Sequence, residues 1–141
     1  MRLRTWIAAT LFAGGCVAPH GAVVTDVDSR GWSDTARIDF ANEDSLRLRD
    51  MRLFVRHDNR FAGGRLGLQV IVLAPDSTMT SEHAVVNFRT SDADAALRRE
   101  ATALYRRRIR LGRCGRYSIL LVPDTTVRGV EAVGIRLDAS E

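Results

Sequence analysis

Residues 51–76, MRLFVRHDNRFAGGRLGLQVIVLAPD, decide the fold. In the first half, Met51, Leu53 and Val55 alternate with Arg52 and Arg56. In the second half, Leu66, Leu68, Val70 and Val72 share one face, with Ile71 and Leu73 on the other. Side chains of a strand alternate between its two faces, so period two reads as β-structure; a helix could not gather these residues into one stripe. The stretch is expected to form two strands, a hairpin whose loop runs from Arg56 to Gly64. The second strand turns apolar on both faces near its end, which places it at the centre of a packed sheet.

The same period recurs outward from this centre. Toward the N-terminus, Thr35–Phe40 alternates with Ile38 and Phe40 inward, after Gly31-Trp32 opens the domain. Toward the C-terminus, Ala74–Thr78 is a turn, because Pro75 cannot continue a central ladder. His83–Arg89 follows with Ala84, Val86 and Phe88 inward, then Arg106–Leu111, Arg116–Val122 and Arg128–Asp138. One segment departs. Ser91-Asp92-Ala93-Asp94 resembles a capped helix start, and Ala93, Leu97, Ala101 and Leu104 fall on one helical face. Ser91–Arg106 is therefore expected to be a short amphipathic helix. The fold class that follows is all-β: a β-sandwich of jelly-roll or Ig-like type, with about seven strands and one short helix.

The N-terminus has its own logic. Arg2 and Arg4 precede the uncharged run Trp6–Ala13, too short to span a bilayer, and Ala13-Gly14-Gly15 then leads to Cys16. This reads as a secretory signal over residues 1–15 with a lipobox-like Cys16, whose thiol would be acylated. The plainer alternative is a signal peptide with an incidental thiol. Residues 16–30 then form a lipidated tether, with room for a short strand at Ala22–Thr25, and residues 31–141 form the sandwich. The second cysteine, Cys114, reads as a small buried hydrophobe; a Cys16–Cys114 disulfide is the alternative.

Composition narrows the function. Of the 141 residues, 45% are hydrophobic, enough for one core. All 21 basic residues are Arg, set against 17 acids. Without Arg2 and Arg4 the balance is nearly even, which argues against nucleic acid as a partner. The stripe Arg106-Arg107-Arg108, Arg110, Arg113 and Arg116 reads as a solvated face, with an anionic partner or lipid headgroups as the functional alternative. Asp26–Arg37 fails as a calcium loop, since Arg30 and Arg37 stand where ligands belong. His20, His57 and His83 have no second His or Cys at ligand spacing, and there is no G-x-S-x-G elbow or Cys–His signature. No metal, cofactor or enzymatic activity is expected. Aromatics, at 6%, are sparse for a sugar-binding platform. Phe54 stands out because it points to the Arg52/Arg56 face, as a contact residue or one covered by another segment.

The order of these features resembles the gliding-motility lipoprotein H (GldH) family of the Bacteroidetes. The residues that carry the likeness are Cys16, Gly31-Trp32, the strand ending in Phe40, Leu53–Asn59 with Phe61, the apolar strand to Pro75, Gly115-Arg116-Tyr117, and the closing Gly129–Leu137. The resemblance implies a membrane-anchored, non-enzymatic accessory lipoprotein of the gliding and type IX secretion apparatus. It would act through contacts with other envelope proteins. The strongest part of the likeness makes Arg56, His57, Asn59 and Phe61, with Phe54, the candidate partner contact. Val17 rather than Asp after Cys16 points to the outer membrane, facing the periplasm. A periplasmic glycan- or ligand-binding sandwich is the alternative.

Overall fold

The computed structural model describes residues 22–61, 64–88 and 99–140. It contains eight strands: β1 (Ala22–Asp26), β2 (Ala36–Asn42), β3 (Leu48–His57), β4 (Arg65–Leu73), β5 (Met79–Asn87), β6 (Arg99–Arg110), β7 (Gly115–Pro123) and β8 (Val130–Ala139). They form two four-stranded antiparallel sheets, ordered β1-β8-β3-β6 and β2-β7-β4-β5. Only β4 and β5 are consecutive neighbours in one sheet; every other connection crosses to the facing sheet. Two equal sheets joined in this way make a jelly roll, whereas an Ig-type sandwich divides its strands unevenly.

The stretch 51–76 is thus a crossover, not a hairpin. β3 lies between β8 and β6, and β4 lies between β7 and β5 in the opposite sheet. The apolar stripes of the two strands meet face to face across the sandwich instead of side by side. Leu53 and Val55 share one buried cluster with Leu66, Leu68 and Val70. Each strand buries its stripe against the other sheet, roughly 10 Å away, and the loop after His57 is long enough to span that gap. The central position expected for β4 holds.

The expected helix gives way to a strand. Arg99–Arg110 is β6, paired with β3 from Arg99↔His57 to Leu48↔Arg110; residues 91–98 lie outside the described residues. Ala101 and Ala103 are buried on one face while Thr102 and Leu104 lie opposite. The Ala/Leu spacing fits either period, and the exposed edge of β3 decides for the strand. No helix occurs among the described residues. β6 is irregular: Arg49 to Arg52 on β3 spans Ile109 to Leu104 on β6, two residues more on β6. Arg108 has a positive φ of 50° there, and its N–H donates to Asp50 Oδ1 at 2.9 Å. Such bulges redirect side chains.

Two further points differ from expectation. The short strand allowed for at Ala22–Thr25 forms, as β1, but as the edge strand of the first sheet, so the sandwich starts by Ala22 and not at residue 31. Cys114 is exposed rather than buried, because it sits on the projecting turn between β6 and β7, its Sγ 3.5 Å from the Glu43 carbonyl oxygen. Trp32 is buried in the main core of the sandwich. It exchanges backbone hydrogen bonds with Val127 at 2.7 and 2.9 Å, and its Nε1 donates to the Asp34 carbonyl at 2.7 Å.

Candidate functional site

Most of the residues expected to contact a partner are inside. His57 is 2% exposed, with Nδ1 3.0 Å from the Asp58 carbonyl oxygen and its ring 5.3 Å from that of Phe61. Phe61 belongs to the main core. Phe54 is on the outer face, as its period predicts, but it is 5% exposed and packed against Ala22 and Val24 of β1. Its pairing partner on β8 is Gly134, which also pairs with Val24. The missing side chain lets the β1 backbone approach: a Cβ on Gly134 would stand 2.1 Å from the Val23 carbonyl oxygen. Arg56 is held by Glu100 at 3.5 Å, and of the five only Asn59 is exposed. The five do not form a common surface.

Asp58 organises this loop. Its carboxylate accepts from the Arg60 N–H at 2.8 Å and from the Arg60 guanidinium at 2.9 and 2.6 Å. The Arg60 side chain holds the Asp58 carboxyl below its ordinary range, with burial opposing. Gly129 packs beneath at a φ of +84°, where a Cβ would come within 2.4 Å of the Phe61 nitrogen. The loop is a structural stopper, and its buried aromatic and histidine are the reason for its character.

The opposite outer face, on β2-β7-β4-β5, has a different chemistry. Register places Ile71 beside Leu120, Leu73 beside Ser118 and Met79, and Gln69 beside Val122 and His83. Ile71, Leu73, Leu120 and Val122 are half-exposed, while Met79 and Val85 are exposed. Together they make a flat aliphatic band across three strands. Polar pairs frame it. On β2, Arg37 reaches Asp39 and Ser118, each at 3.0 Å. The Ser118 hydroxyl, and after it Arg37, hold Asp39 below the usual carboxylate range against the cost of burial. On the other side, Gln69 donates to Ser81 at 2.5 Å, and His83 Nε2 lies 2.6 Å from Asp124 Oδ2. Asp124 lies over Gly67, where a Cβ would be 2.1 Å from its carboxylate oxygen. The apolar Ile71 and Leu73 suggest in the sequence that β4 is buried on both faces; no described segment covers this one.

A third cluster closes the open side between edge strands β5 and β6. Glu82 accepts from both the Tyr105 hydroxyl and the Arg106 guanidinium. The guanidinium also lies 5.4 Å from the centroid of the Tyr105 ring. Arg106 and Tyr105 hold the Glu82 carboxyl below its ordinary range. Burial, followed by the Glu82 hydrogen bond, pushes the Tyr105 phenol up to about 12.

None of the aromatics among the described residues (Trp32, Phe40, Phe54, Phe61, Phe88, Tyr105 and Tyr117) is exposed. No group of three or more His, Cys, Asp or Glu able to hold a metal ion occurs among the described residues.

No protein-family model matches the chain, and no curated protein matches it. Among solved structures it is similar to a non-crystalline cellulose specific carbohydrate-binding module, CBM28. The identity is 10% and the TM-score 0.46, with 85% of this chain and 74% of that one covered. At that level the likeness bears on neither substrate nor partner.

Proposed function

We propose that this chain is a lipid-anchored, non-enzymatic lipoprotein of the cell envelope that works through protein–protein contacts. The contact face is the outer surface of the β2-β7-β4-β5 sheet, against an envelope protein that presents a matching apolar surface. The observation that carries this reading is the flat aliphatic band of Ile71, Leu73, Leu120 and Val122 within a polar frame. An apolar centre with a polar rim is the anatomy of a protein interface. The glycan-binding alternative has no exposed ring among the described residues to build on. Acylation at Cys16 would confine the sandwich to the membrane plane, raising its effective concentration near membrane partners. Placement at the outer membrane, facing the periplasm, rests on Val17. The narrower assignment to the gliding and type IX secretion apparatus rests on the resemblance to lipoprotein H alone.

The test is affinity capture of the anchored protein from membranes, read by mass spectrometry, alongside an Ile71→Arg/Leu120→Arg variant. Wild type should recover envelope proteins and the variant should lose them at unchanged melting temperature. Equal recovery by both would remove this face from the interface; recovery of no envelope protein by wild type would overturn the assembly role. Metabolic labelling with palmitate should disappear in Cys16→Ala, and an unlabelled wild type would refute the anchor.

A further inference from the structure

The arginine stripe and the start of β1 lie at the same end of the sandwich. β8 runs toward Ala139, which pairs with Arg49, and Leu48 pairs with Arg110. β1 is antiparallel to β8 and begins there, with Ala22 opposite Arg136, three residues short of Ala139. The β2–β3, β4–β5 and β6–β7 connections close this end. It carries exposed Arg47, Arg107, Arg110, Arg113 and Arg116. The β6 bulge falls within the arginine run, at Arg106–Arg108.

Charge pairing at this end is uneven. Most of the nearby acids are engaged: Asp76 with Arg113 at 2.7 Å, Glu82 with Arg106, Asp138 with Arg52 at 3.3 Å and Arg136 at 3.0 Å, and Asp50 with the Arg108 N–H at 2.9 Å, while Glu43 is exposed with no ion pair to another described residue. Asp44 accepts from the N–H groups of Leu46 and Arg47. Arg47, Arg107, Arg110 and Arg116 make no ion pair with another described residue. Two large hydrophobic side chains stand out beside them, Leu46 at 76% and Met79 at 65% exposed. The opposite end has fewer such charges: Arg30 and Arg60 are each paired with an aspartate two residues away, at 3.0 and 2.6 Å, which leaves exposed Arg65 and Arg128 without an ion pair to another described residue.

We infer that this basic end seats on the anionic headgroups of the bilayer that holds the anchor. The inference rests on the acylated Cys16 of the proposed function. Six residue steps separate Cys16 from Ala22, a reach of at most about 20 Å. Roughly 10 Å of that is used in passing the last three residues of β8. The slack of about 10 Å is comparable to the Debye length at physiological salt, so the arginines stay within range of the surface charge. Exposed arginines attract anionic lipid, and Leu46 at a loop tip can enter the interface. The outer face of β2-β7-β4-β5 then stands roughly perpendicular to the membrane, open to a neighbour in the same plane.

The test uses the mature chain with Cys16→Ser, so that no acyl chain contributes, and sedimentation with vesicles. Binding to phosphatidylglycerol/phosphatidylcholine vesicles should exceed binding to phosphatidylcholine alone, and should fall about tenfold from low to high salt. Arg107→Gln/Arg110→Gln/Arg116→Gln should weaken it about tenfold or more, while Arg30→Gln/Arg65→Gln/Arg128→Gln at the other end should change it less than about twofold. Equal loss from the two triple variants, or no preference for the anionic vesicles, would overturn the inference. Palmitate labelling reports the anchor and vesicle binding reports the basic end, so failure of one is distinguishable from failure of the other.

Discussion

Replacing Gly134 by Ala tests how the two sides of the first sheet are held. A Cβ at this position would stand 2.1 Å from the Val23 carbonyl oxygen and 2.8 Å from the Val24 Cα, both backbone atoms of β1. Ordinary contact begins at 3.4 Å, so β1 would have to retreat by about 1.3 Å. Inter-strand hydrogen bonds near 2.9 Å do not survive such a shift. The molecule has two responses. It can absorb the overpacking, at about 1–3 kcal/mol. Alternatively it can release β1, which uncovers Phe54, worth roughly 1.5–3 kcal/mol of burial, and forfeits the β1–β8 ladder. Release is partly offset by the chain entropy that five residues regain. Either response costs about 1–3 kcal/mol by these magnitudes, measured by urea denaturation against Gly112→Ala, where an added Cβ meets nothing within 4 Å. Amide hydrogen exchange separates the responses: release strips protection from β1 and from the β8 amides that donate to it, while β3 keeps its own. Stability within about 0.5 kcal/mol of the Gly112→Ala control, with β1 protected as in wild type, would refute the reasoning.

Two more predictions follow from the burial and the titrating groups. Phe61→Ala should cost about 3–5 kcal/mol in denaturant unfolding, as a core truncation does; unchanged stability with lost envelope partners would return Phe61 to the contact list. Tyr105 has a raised pKa in the fold, so its contribution is complete below about pH 10 and is lost as pH rises toward about 12, where the native hydroxyl finally ionises. Glu82 has the opposite sign: its lowered pKa gives stability that is present above about 4.5 and lost as pH falls below it. Unfolding midpoints against pH should show both limbs in wild type, and Tyr105→Phe should abolish the alkaline limb; an unchanged alkaline limb would show that Tyr105 is not its source.

The sequence by itself determined which residues would face inward. Period two in Met51–Val55, Leu66–Val72 and Val133–Leu137 is a local property of the chain, and the core contains those residues because a half-buried strand must put alternate side chains on one side. The all-β class and the sandwich follow from it. Only the tertiary structure decided which strand lies beside which. An apolar stripe on β3 is equally satisfied by a hairpin partner's sheet or by a facing sheet, and the crossover of 51–76 is chosen by pairings with β6 and β8, more than forty residues away in the chain. The same distance hid the fate of Phe54 and His57. The ring of Phe54 is covered because Gly134 admits the backbone of β1, which closes over it, and His57 is covered by Phe61 and the loop around Gly129. The strand at Arg99–Arg110 was illegible for a related reason. Its Ala/Leu spacing suits a helix as well as a strand, and the free edge of β3 resolved it. Conversely, the arginine stripe was plain in the sequence, but its meaning was not. Its significance comes from lying at the end where β1 begins, a juxtaposition that antiparallel pairing with β8 creates and no local pattern encodes.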